Sequence, residues 1–401
     1  MANIRFDRSS FLDAVVRTLD CSQAEPDARA RSLYKLLRNA TPVKIMYLES
    51  DYRGRHYSLN SLAPEVLPVV SAPTDGMLEQ SSSAVAALMS FDRSGYLREN
   101  GVAALAADSG PFPLPFLLLR LNDPVEQVSG LARAAVVERL TPQHVDLIVQ
   151  MLPLLDGLLR RRRAGGLAQM VEDLLRDTGR DALWRGAESD DPLLRASCLR
   201  QLVHTEPVAT IEAAFATRDP ALWQWAAQVA TSSRLTLADQ DAVLPLLENS
   251  GSPRIRLRAV RARARRTNED AHLLRAMLDA DARVRYHSRA ALYARGRTDL
   301  APQIYRDALV PGSASESEST IIGALGGLAD LGGQGDVARV LEYITHSKTR
   351  VRAEAWRTLS ILAPREVELR AGLLAGDPSG RVRRFLPGDA PPGASSENDR
   401  S

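Results

Sequence analysis

Apolar residues recur along this chain on a fixed template. An aliphatic residue is followed four positions on by a small one and, in most copies, eight positions on by another apolar residue. Leu97, Gly101 and Leu105 fit it, as do Val128, Ala132 and Val136, and Leu194, Cys198 and Leu202. Leu222, Ala226 and Ala230 follow, then Ile255 and Ala259 with Arg263 in the last slot, and Val284, Ser288 and Leu292. Thr320, Ala324 and Leu328 form a weaker copy, Val351, Ala355 and Leu359 the cleanest, and Val382 begins one more. Residues at i, i+4 and i+8 share one helix face, and a small residue in the middle lets a neighbouring helix approach.

Successive anchors are 31, 66, 28, 33, 29, 36, 31 and 31 residues apart, the 66 reading as two units. A period near thirty suits two short helices and two turns, and such a pair buries its apolar face only by stacking on its neighbours. Turn chemistry precedes most anchors, at Asp123-Pro124, Asp191-Pro192, Asp219-Pro220, Ser252-Pro253 and Asp377-Pro378. Asp or Ser caps a helix N-terminus and Pro is accepted at its first position.

These units resemble the HEAT repeat family, most clearly in Pro115 to Val128, Asp281 to Leu292 and Thr349 to Leu359. The resemblance implies an all-α fold, a right-handed α-α superhelix (a HEAT-like solenoid) over Met77 to Pro387, with the Pro-capped second helices lining a concave face. It implies a protein partner in that groove and names none. Some HEAT-like proteins are DNA glycosylases that hold a duplex on a basic concave face, so nucleic acid is the alternative partner. Their catalytic Trp and Asp arrangement is not found here.

Residues 1–76 are expected to form an N-terminal helical cap region, amphipathic over Phe11 to Leu19 and Ala28 to Leu37, with Pro64, Pro68 and Pro73 opposing a long helix later on. Within the 77–387 solenoid, residues 142–187 depart from the template. Val145 to Gly166 reads as one long helix, kinked at Pro153 and ending in Arg160 to Arg163. Pro311 to Ser319 reads as a polar, acidic loop, and 388–401 as a disordered tail.

Composition narrows the class. Hydrophobic residues are 45% but aromatics only 5%, so the core must be Leu, Ala and Val, which suits close-packed helices. Net charge is +2, which commits the whole chain to neither nucleic acid nor membrane. Cys21 and Cys198 offer no disulfide framework. The first twenty residues carry charge throughout, and no run approaches the ~20 apolar residues of a membrane span, so a cytoplasmic setting without a membrane partner is expected.

The chemistry of catalysis is not legible. No two of the six histidines are four residues apart, and no HExxH or GxSxG occurs. The Gly-rich stretch Gly323 to Asp336 lacks the P-loop lysine and reads as close helix packing. No catalytic residue, metal or cofactor is expected.

Arginine is the exception. It recurs immediately after the anchor, as Arg98, Arg195, Arg256, Arg285, Arg352 and Arg383, with Trp223 in one such slot. Stacking turns these into a ladder, read either as pairing with Asp caps of neighbouring units or as a groove for phosphate or an acidic partner. Residues 251–300 hold 13 Arg against 5 Asp plus Glu. Arg258, Arg261 and Arg265 there, with Arg195, Arg256, Arg285 and Arg352, are the candidate partner-binding residues. Trp223 joins them as an aromatic opening onto the groove and Trp356 as one at an inter-repeat edge, with core packing the other reading of each.

Overall fold

The structure, a computed structural model, describes residues 13–15, 26–54, 76–158, 166–266, 270–297, 301–310 and 317–387. Among them every regular element is a helix and there is no strand. The sequence expectations for Phe11 to Leu19 outside 13–15, the Pro-rich stretch at 62–73, Arg160 to Arg163, most of the 311–319 loop and the 388–401 tail lie outside the described residues.

The chain divides into two compact units, Met1–Thr210 and Ile211–Ser401. The first contains α1 (Pro26–Arg38), α2 (Pro42–Gly54), α3 (Gly76–Met89), α4 (Gly95–Ala107), α5 (Leu114–Arg120), α6 (Glu126–Arg139), α7 (Val145–Gln150), α8 (Leu152–Leu158), α9 (Leu167–Thr178), α10 (Arg180–Ala187) and α11 (Pro192–Leu202). Helix α12 (Pro207–Ala216) carries the boundary. The second contains α13 (Pro220–Ala230), α14 (Leu237–Glu248), α15 (Pro253–Arg266), α16 (Ala271–Met277), α17 (Ala282–Ala294), α18 (Ala301–Ala308), α19 (Glu318–Leu331), α20 (Val337–Leu341), α21 (Thr349–Leu362), α22 (Pro364–Leu369), α23 (Ala371–Ala375) and α24 (Gly380–Arg383).

In the second unit the anchor-bearing helices α13, α15, α17, α19, α21 and α24 touch one another in sequence order. The intervening α14, α16, α18 and α20 each pack on the anchor helix that follows. That is a stack of helix pairs. Its seam is the template read from sequence: Val284, Ser288 and Leu292 are buried, as are Val351, Ala355 and Leu359. Each fully buried Val or Leu contributes roughly 1.5–3 kcal/mol. The first unit stacks α3, α4 and α6 in the same way, over a core running from Val15 to Leu202. At Gly101 a Cβ would lie 2.8 Å from Ala86 O and from Met89 Cβ, so the small slot is what admits α3.

Two expectations need correction. The long helix of the 142–187 insertion is broken into α7 and α8 at Met151, and α9 and α10 follow separately. Pro153 has no N–H to continue the ladder, and its ring crowds the preceding turn. Asp191 and Asp219 do cap helices that start on Pro192 and Pro220. Asp123 and Asp377 instead accept the N–H of Val125 and Ser379, and their helices begin later, at Glu126 and Gly380. There the Asp makes an Asx turn, which competes with capping for the same side chain.

Candidate partner-binding face

Every ladder position closes its own turn. Arg98, Arg195, Arg256, Arg285, Arg352 and Arg383 donate to the carbonyl six residues earlier, respectively Asp92, Ser189, Ser250, Asp279, His346 and Asp377. Trp223 makes the same bond with its indole, Nε1 to Thr217 O at 2.8 Å. The accepting residue also uses its side chain, which takes the N–H two residues on from Asp92, Ser189, Thr217, Ser250, Asp279, His346 or Asp377. The turn is held twice, by its own polar side chain and by an arginine from the helix it leads into.

Where the next unit carries Asp in that turn, the arginine also forms a two-pronged ion pair. Arg98 meets Asp123 at 2.9 and 3.0 Å, Arg256 meets Asp279 at 2.6 and 2.9 Å, and Arg352 meets Asp377 at 2.7 and 3.1 Å. Arg285, 1% exposed, reaches Asp330 on α19 at 3.3 Å, beside Arg289 at 3.0 Å. The Asp377 carboxyl is held below the usual range, first by the Arg352 hydrogen bond. Burial would raise Asp123, but the Arg98 hydrogen bonds, the Val125 N–H and the charges of Arg120 and Arg98 together hold it low. Burial draws Arg120 down to about 10 despite Asp123 beside it.

Of the sequence-selected residues, Arg256, Arg285 and Arg352 are therefore occupied within the fold, and Trp356, 1% exposed, is core rather than groove edge. Arg195 and Trp223 are half-buried, and Arg195 has no carboxylate partner among the described residues.

Helix α15 sorts its arginines by face. Arg256 and Arg263 turn inward, Arg263 to Glu248 at 2.8 Å and Asp241 at 3.4 Å. Arg254, Arg258, Arg261 and Arg265 are exposed, and none forms an ion pair with a described residue. Spacings of four, three and four put these four on one stripe. They line a groove of about 520 Å³, closed on one side by Gln224 of α13 and Thr231 just after it, and joined by Arg283 of α17. Arg261 Nη2 lies 2.8 Å from His287 Nε2. Burial, then the Arg261 charge, hold the His287 imidazolium below its usual pKa.

By comparison with known proteins, the chain matches no family model and no curated relative.

Sequence reasoning passed over two exposed aromatic residues on the helix next to α15. Tyr286 is 60% exposed and Tyr293 38% exposed, seven residues apart on α17. Tyr286 packs edge-on to His287, with ring centroids 5.4 Å apart. Neither tyrosine falls on the anchor template, so a search for that template misses both. Their own i, i+7 spacing beside an Arg-rich helix was the available signal.

A second cavity, of about 680 Å³, opens across α15, α16 and the turns before α15 and α17. Its polar wall includes His272, whose Nδ1 is 3.3 Å from Glu248, the carboxylate that also accepts from Arg263. Among the described residues no group of three or more His, Cys, Asp or Glu side chains is placed to hold a metal ion. No helix there is long and apolar enough to cross a membrane. Cys198 is buried, and burial followed by Asp156 pushes its thiol up to about 12, which disfavours the thiolate.

Proposed function

We propose that this chain is a non-catalytic helical-repeat scaffold of HEAT type, with its pairs stacked as a right-handed α-α superhelix, and that it takes an acidic macromolecular partner on the exposed stripe of α15. One observation carries the reading: Arg254, Arg258, Arg261 and Arg265 project together with no carboxylate among the described residues to neutralise them, while Arg256 and Arg263 of the same helix are paired. Four uncompensated guanidinium groups beside one groove repel each other and gain most from a partner that supplies negative charge. An adaptor segment rich in Asp and Glu satisfies that charge, and so does a phosphate backbone. The two differ in whether they also bring planar bases.

Retention of the full chain on a heparin matrix tests the stripe. The combined change Arg258→Glu, Arg261→Glu and Arg265→Glu should abolish retention at moderate salt. A control with the same change in net charge, Arg176→Glu, Arg185→Glu and Arg200→Glu on exposed side chains of the first unit, should keep most of it. Equal elution of the two variants would refute the assignment.

A further inference from the structure

The stripe has a neighbour that charge alone does not explain. Tyr286 touches His287, its neighbour in the chain, and His287 contacts Arg261, so an exposed aromatic ring lies on the helix next to the arginine row. Tyr293 lies on the same face of α17 two turns further along, a rise of about 10 Å. The arginine row from 254 to 265 covers about 16 Å at the same rise per residue. Two parallel tracks result, one cationic on α15 and one aromatic on α17.

Resting on the scaffold reading above, we propose that the partner of this face is a single-stranded nucleic acid, with phosphates along the arginine track and bases stacked on Tyr286 and Tyr293. Guanidinium groups take phosphate oxygens in pairs, and stacking on an aromatic ring tolerates any base. A duplex presents its phosphates but keeps its bases inside, so the tyrosine track adds nothing to its binding. An acidic polypeptide presents carboxylates and has no planar base for that track.

Fluorescence anisotropy on the full chain tests this, with labelled oligothymidylate, a DNA duplex of the same length and labelled polyglutamate as probes. Single-strand affinity should fall with salt with a log–log slope of about −3, from four arginines at about 0.7 each. Replacing Arg258 and Arg261 by alanine together should reduce that slope to about −1.5. Tyr286→Ala and Tyr293→Ala should each weaken oligothymidylate by about 5-fold or more and leave polyglutamate unchanged. Both positions are exposed, and an unaltered circular dichroism spectrum checks that the variants fold. Duplex binding as tight as single-strand binding, or indifference of oligothymidylate to both tyrosine changes, would overturn the proposal. Polyglutamate binding more tightly than oligothymidylate would also overturn it while leaving the arginine stripe as the partner surface. Failure to bind any of the three polyanions would sink both readings.

Discussion

Asp123 accepts from two arginines and a backbone N–H, and removing it should be costly. Its side chain is 0% exposed and accepts from Arg98 Nε and Nη2, Arg120 Nη1 and the Val125 N–H. Asp123→Ala would leave two arginines, 6% and 2% exposed, without that carboxylate. Breaking a buried ion pair from one side costs about 3–5 kcal/mol. Two features place this case at the low end. Arg98 keeps the carbonyls of Asp92 and Arg93, and Arg120 keeps Glu49. A cavity of about 420 Å³ borders both Arg120 and Asp123, so water can reach the vacated site. A loss of about 3 kcal/mol is expected. Hydrogen exchange by mass spectrometry reads it locally: amides of α4 and α6 should lose about two decades of protection, and those of α21 should not change. Asp146→Ala, which removes the partner of Arg185 with both side chains more than 60% exposed, should cost under about 0.5 kcal/mol. If Asp123→Ala costs no more than Asp146→Ala, the ladder does not hold the first unit together.

Three further outcomes follow from the same contacts. Asp123, Asp281, Asp336 and Asp377 all have carboxyls held below their ordinary range in the fold, so their stabilisation is complete above pH about 4. It is lost as pH falls through the lower folded values, so urea midpoints should drop steeply below pH about 4, beyond the smaller decline that the lowered His287 pKa brings as pH falls below about 6.5; a midpoint that does not fall below pH about 4 would contradict this. Gly101→Ala places a methyl against Ala86 O and should lower stability by about 1–3 kcal/mol in a thermal melt, because a backbone atom cannot rotate aside. Trp223→Phe keeps an aromatic ring but removes the donor to Thr217 O, and should cost about 1 kcal/mol in urea unfolding; a neutral result would show that the indole only fills space.

The repeat was legible because its three positions serve one purpose. Anchor, small and apolar residues are all selected by burial, and burial reports directly in residue type. The arginine after the anchor was legible too, since it recurs. Its pairing with the Asp of a neighbouring unit's turn was one of the two readings, and Arg98–Asp123 and Arg352–Asp377 are such pairs. Its bond to its own turn was not legible, because the residue six positions earlier varies among Asp, Ser, Thr and His while offering the same carbonyl. The break between α7 and α8 was half-visible in Pro153, which sequence read as a kink and the fold uses as a stop. Trp356 was placed at an edge because it follows the small slot at Ala355, but its side chain is buried, which is the core reading of that position.

The arginines of α15 show why residue type alone could not assign this face. Arg256 and Arg258 are two residues apart, about 200° around the helix, and so meet opposite environments. The first finds Asp279 and the Ser250 carbonyl, and the Asp279 hydrogen bond raises its pKa even as partial burial opposes it. The second finds solvent and three like charges. Substituting them separately should split the two roles. Arg256→Ala should lower stability, by breaking a pair only 19% and 10% exposed, and leave polyanion affinity nearly intact. Arg258→Ala should leave stability unchanged or slightly raised, by relieving repulsion along the stripe, and weaken polyanion binding. Paired measurements of urea midpoint and anisotropy on the two variants decide it. If both variants moved both quantities together, inward and outward arginines would form one electrostatic network, and the stripe could not be treated as a surface separate from the fold.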